Sequence, residues 1–144
     1  MIPMKENQGK GQNIETSPMI SNNDYTILIV DDTKTNIDVL VKILMKDYRL
    51  GVALNGRDAI QFARKNQPDL ILLDIIMPEM DGFQVCGELK SDPRTKSIPI
   101  IFITAMNKPG LKAKCIEYGA VDYINKPFVM REVKEKITIH LIPS

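Results

Sequence analysis

The sequence is poor in cysteine and histidine. It holds two cysteines, Cys86 and Cys115, far apart and with no CxxC spacing, and a single histidine, His140. A metal–thiolate centre or a dithiol couple needs clustered ligands, so two reduced, buried thiols are expected instead. An excess of one charge is also missing: 19 Lys and Arg against 18 Asp and Glu leave a formal net charge of +1. Nothing in that balance points to a polyanion, and no direct nucleic-acid contact is expected. No apolar run reaches the roughly eighteen residues that a transmembrane helix needs, and the polar N-terminus lacks a signal-peptide hydrophobic region. A cytoplasmic chain with no membrane contact is the expectation.

The 144 residues present are enough for one domain with a sizeable core. Residues 1–24, rich in Asn, Gln, Gly, Lys and Ser and without periodicity, read as a disordered leader, and residues 25–142 as the folded domain. From Tyr25 onward, short apolar runs alternate with stretches of helical period. The runs are YTILIV (25–30), YRLGVAL (48–54), DLILLD (69–74), IPIIFIT (98–104) and VDYI (121–124). Between and after them, apolar residues recur at helical spacing: Ile37, Leu40, Val41 and Leu44; Ala59, Phe62 and Ala63; Val85, Cys86 and Leu89; Leu111, Cys115 and Ile116; Val129, Val133, Ile137 and Leu141.

Near-continuous apolar strands indicate a parallel sheet covered on both faces. Right-handed crossovers then give a doubly wound α/β fold of five strands and five helices. Helix boundaries are expected at Asn55-Gly56, at Asp81-Gly82 and at Gly119, with Pro109 near the first turn of the fourth helix.

In such sheets the functional crevice lies beyond the carboxyl ends of the strands. The first strand ends in Asp31 and Asp32, the third in Asp74, the fourth in Thr104 and the fifth in Lys126-Pro127. The second offers nothing comparable, which fits an edge strand. Carboxylates gathered there repel one another, by roughly 4 kcal/mol for a pair about 4 Å apart at an effective dielectric near 20. A hard divalent ion with oxygen ligands offsets this, and Mg²⁺ suits a few carboxylates that leave room for water and phosphate oxygens. A metal, a carboxylate nucleophile at Asp74, a lysine and a hydroxyl are the equipment of phosphoryl transfer. Each residue alone has a plainer reading: Asp32 as a helix cap, Thr104 as a strand residue, Lys126 as a solvated charge. Their joint arrival at strand ends favours the site.

The motifs ILIVDD, LILLDIIMPEMDG, IIFITA and YINKPF, in this order, resemble those of response-regulator receiver domains of two-component signalling. The resemblance covers about Tyr25 to Leu141 and implies the flavodoxin-like (βα)5 fold. It also implies that Asp74 accepts a phosphoryl group from a phosphohistidine on a sensor histidine kinase or phosphotransfer protein. Asp32 and Asp74 would bind Mg²⁺ directly, the backbone carbonyl of Ile76 would complete the protein ligands, and Asp31 would act mainly through water. Lys126 would contact a phosphoryl oxygen and Thr104 would swing in to bond another. Tyr123 matches the aromatic switch position, whose ring turns inward when Thr104 moves. That would reshape the face made by the fourth helix, fifth strand and fifth helix, through which a homodimer would also form.

Ile76 and Met106 are apolar at positions that influence hydrolysis in this family, so a long-lived acyl phosphate is expected. The segment NKPGLKAK (107–114) is basic where many relatives are acidic. EKITIHLI resembles the ends of receivers that continue into an output domain, so a C-terminal output domain outside this chain is expected. His140, in ITIHLIPS, reads as a residue at the end of the fifth helix rather than a phosphodonor.

Three other functions compete. An aspartyl phosphatase of the haloacid dehalogenase type needs an acid two residues after its nucleophile, and Ile76 stands there. Flavin binding needs a Gly, Ser and Thr loop after the first strand, where DDTKTN presents carboxylates. A pseudo-receiver is opposed by the presence of every key acid and of Lys126.

Overall fold

The computed structural model describes residues 24–141. Within them run β1 (Thr26–Val30), α1 (Lys34–Leu44), β2 (Arg49–Ala53), α2 (Gly56–Asn66), β3 (Leu70–Asp74), α3 (Gly82–Lys90), β4 (Ile100–Thr104), α4 (Leu111–Glu117), β5 (Asp122–Asn125) and α5 (Met130–Leu141). The five strands form one sheet in the order β2-β1-β3-β4-β5, every neighbouring pair parallel. This is the expected doubly wound α/β architecture. β2 lies at one edge, as expected from its plain end, and β5 closes the other.

The apolar runs are continuous because both faces of the central strands are covered. Leu28, Val30, Ile71, Leu73, Ile100 and Phe102 pack on one face with residues of α2, α3 and α4. Ile27, Ile29, Leu70, Leu72, Ile101 and Ile103 pack on the other with residues of α1 and α5. All twelve are 0 % exposed. Burying each such side chain contributes about 1.5–3 kcal/mol, set against the entropy of ordering the chain. Cys86 and Cys115 are free and buried, as expected.

Local chemistry sets the helix ends. Asn55 accepts a hydrogen bond from Asp58 N–H, and Asp81 and Gln84 form a reciprocal capping box at the start of α3. Gly119 follows α4 at φ +103°, a conformation that a side chain would strain.

Pro109 lies near the first turn of α4, immediately before its N-cap, Gly110. Two expectations are corrected. Ile116 is 50 % exposed on that short helix, and Val129, which precedes α5, is 57 % exposed. The buried stripe of α5 is Val133, Ile137 and Leu141, so a residue four positions earlier falls before its first turn. Residues 1–23 of the expected leader lie outside the described residues.

Candidate functional site

The parallel registers bring the ends of β1, β3, β4 and β5 to one rim of the sheet. Asp31 and Asp32 follow β1, Asp74 ends β3, Thr104 ends β4, and Lys126 follows β5. Asp31 is fully buried, Asp74 is 3 % exposed and Asp32 faces solvent. Each carboxylate offers an oxygen within 4.8 Å of the others. Lys126 sets its ammonium 3.2 Å from Asp31 Oδ2 and 3.5 Å from Asp74 Oδ1. Its own backbone N–H donates to Thr104 O at 2.8 Å, so the same residue that supplies the cation continues the sheet.

The chain around the acids is tightly held. Asp31 Oδ1 accepts from Thr33 N–H at 2.9 Å, shaping the turn into α1, whose N-cap is Thr33 and not Asp32. Asp31 Oδ2 is buried with no hydrogen-bond partner; the Lys126 contact is an ion pair without hydrogen-bond geometry. Ile76 N–H reaches Asp74 Oδ1 at 3.4 Å. Gly82 N–H donates to Ile75 O at 2.7 Å, and a Cβ on Gly82 would stand 2.3 Å from Asp74 O. Only glycine permits this approach, which folds the segment after Asp74 back against its own strand end. The Lys126–Pro127 peptide is cis.

Burial pushes the Asp74 carboxyl up, and the Asp31 charge pushes it further, to about 6, against the pull of Lys126 and Ile76 N–H. One ammonium faces three carboxylates. The orphaned oxygen of Asp31 and an all-oxygen donor set fit a hard divalent cation such as Mg²⁺.

Thr104 is buried, and its hydroxyl accepts from Met106 N–H at 2.9 Å. Ile76 is 60 % exposed at the rim. Tyr123 is half-buried on β5, with Lys136 Nζ 5.3 Å from its ring centroid and donating to its carbonyl at 2.6 Å.

A family model described as the response regulator receiver domain matches residues 27–138. The chain belongs to the response-regulator receiver family. This receiver is 40 % identical over 116 residues to a probable cyclic di-GMP phosphodiesterase of Vibrio cholerae, covering 81 % of this chain and 26 % of that protein. It thus spans about a quarter of that relative's length. A response regulator from Chloroflexus aurantiacus, described as putative in its crystal structure, superposes with a TM-score of 0.77 at 35 % identity, covering 81 % of this chain and 97 % of that one. The receiver domain of a Pseudomonas aeruginosa sensor histidine kinase superposes at 0.75 with 29 % identity, covering 81 % and 97 %, and holds a magnesium ion coordinated in its active-site cleft.

Two features of this receiver escape the sequence reading. Asn125 donates from its side chain to Met106 O at 2.9 Å. On α5, His140 Nε2 lies 3.1 Å from Asp122 Oδ2, while Lys136 Nζ lies 3.4 Å from Asp122 Oδ1 and 3.5 Å from Glu132. Burial pushes the Asp122 carboxyl up, but Tyr123 N–H, His140 and Lys136 outweigh it and hold the group below its ordinary value. The i, i+4 spacing of Lys136 and His140 puts them on one helix face; their partner on β5 was not legible.

Proposed function

We propose that this receiver takes a phosphoryl group from a phosphohistidine onto Asp74. The observation that carries the reading is the nearly buried Asp74 carboxylate, set beside Asp31, Asp32 and the Lys126 ammonium at one rim of the sheet. An Asp74 oxygen attacks phosphorus, the P–N bond to the donor imidazole breaks, and the imidazole leaves with the bonding electrons and takes up a proton. The product is an acyl phosphate on Asp74. Lys126 neutralises charge on the phosphoryl oxygens, and the Thr104 hydroxyl donates to one of them. Asp32, Asp74 and the Ile76 carbonyl would hold Mg²⁺, with Asp31 acting mainly through water; when bound, the ion neutralises phosphoryl charge and orients the group.

The chain acts on no external substrate in this reading: it catalyses its own phosphorylation and the later hydrolysis. Ile76 and Met106 offer no polar side-chain group to orient an attacking water, so hydrolysis is slow. Thr104 is the local event, and Tyr123 carries it to the α4-β5-α5 face, where a homodimer forms or an output domain is engaged. The donor is a histidine kinase or phosphotransfer protein of the cytoplasm. Among the described residues no helix is long and apolar enough to cross a membrane.

The test is chemical trapping. After phosphorylation, borohydride reduction of an acyl phosphate converts its aspartate to homoserine, which peptide mass spectrometry locates. Homoserine at position 74 supports the reading; its appearance elsewhere, or nowhere, overturns it.

A further inference from the structure

Thr104 and Asn125 are register partners at the ends of β4 and β5, so their side chains emerge side by side. Both hold the same residue. Met106 gives its N–H to the Thr104 hydroxyl at 2.9 Å, and its carbonyl receives the Asn125 amide at 2.9 Å. Lys126 N–H, next along the chain, bonds Thr104 O at 2.8 Å. Among the described residues no hydrogen bond joins Thr104 to Asp74, whose carboxylate is met by Ile76 N–H and by Lys126. The β4–α4 turn therefore holds the Thr104 hydroxyl toward Met106, and Asn125 fastens that turn from the far side.

We infer that Asn125 is a positioning residue, a latch that holds the β4–α4 turn through Met106 and so sets how readily Thr104 turns to a phosphoryl group on Asp74. This rests on the phosphoacceptor reading. Among the described residues no hydrogen bond joins the Asn125 side chain to the acids; it acts through the Met106 peptide. Met106 is held at both its N–H and its carbonyl, so release of either bond loosens the other. An alanine or an apolar side chain at 125 leaves the Met106 carbonyl without this donor and lowers the cost of moving the turn.

The experiment compares wild type, Asn125→Ala and Asn125→Leu, the last keeping side-chain bulk in case alanine impairs folding. Phosphorylation by a small-molecule acyl phosphate with Mg²⁺ is followed together with amide exchange at Met106. Both variants are expected to phosphorylate about two- to tenfold faster than wild type, the equivalent of one net hydrogen bond, with faster exchange at Met106. In a Thr104→Val background, which removes the hydroxyl and keeps the shape, the substitution at 125 should no longer change the phosphorylation rate. A merely structural Asn125 would lower thermal stability in both backgrounds and leave the rate alone. Unchanged or slower phosphorylation, or an effect that persists in full in the Thr104→Val background, overturns the inference. Failure of the wild type itself to take a phosphoryl group sinks the phosphoacceptor reading instead, and Met106 exchange then still decides whether Asn125 fastens the turn.

Discussion

Lys126 holds its ammonium 3.2 Å from an oxygen of Asp31, a carboxylate with no exposure to solvent. That one cation also lies 3.5 Å from Asp74, so it is divided between two buried acids that repel each other, while a third acid, Asp32, stands within reach of both at the rim. Such an arrangement is poor for stability, because breaking even with the desolvation cost requires better pairing than one lysine supplies.

Asp31→Asn is accordingly expected to stabilise the fold in the presence of a chelator. The change removes a buried charge and two repulsions at the loss of one attraction, and Asn can still accept from Thr33 N–H. A gain of about 1 kcal/mol or more is expected. With millimolar Mg²⁺ the wild type gains by mass action and the advantage of Asn shrinks or reverses. Urea midpoints under the two conditions check this; a variant less stable in chelator contradicts it.

Gly82→Ala should damage both fold and site. The new Cβ would meet Asp74 O at 2.3 Å and Ile75 Cα at 2.8 Å, all backbone and unable to step aside. A loss of about 1–3 kcal/mol is expected, with slower phosphorylation because the Asp74 strand end moves. Equal stability and rate would show that the approach is looser than described.

Cys86 and Cys115 should resist alkylation at neutral pH. Both are 0 % exposed, and burial pushes the Cys86 thiol up to about 11 and raises that of Cys115 as well. Little thiolate is then available. Mass spectrometry after brief treatment with iodoacetamide should find neither modified in native protein and both modified in denaturant.

Asp122 ties β5 to α5 through Lys136 and His140, and its folded pKa lies below the unfolded value. A depressed carboxylate contributes stability that is fully present above the unfolded pKa, about 3.9, and is lost as pH falls through the folded value. Asp122→Asn should therefore be less stable than wild type at neutral pH, and the gap should close in acid below about pH 4. A gap that is constant with pH would remove the ion pairs from the explanation.

Much of this was legible because a parallel βα repeat has simple rules. Buried strands write themselves as unbroken runs such as LILL, and every strand delivers its last residue to the same rim, so Asp31, Asp74, Thr104 and Lys126 are gathered by the strand order alone. What was hidden depends on side-chain direction between elements distant in sequence. Asn125 to Met106 spans 19 positions and Asp122 to His140 spans 18, and no periodicity encodes either bond. Ile116 and Val129 misled for the opposite reason: apolar identity fits a helical stripe, while exposure is decided by where a short helix begins and what covers it.

Intact mass spectrometry of the chain after incubation with a small-molecule phosphodonor, with and without Mg²⁺, tests the central claim most directly when wild type and Asp74→Asn are run together. One phosphoryl adduct, formed only when both Mg²⁺ and Asp74 are present, is the predicted result. No adduct under any condition, or an adduct that survives Asp74→Asn unchanged, would contradict it.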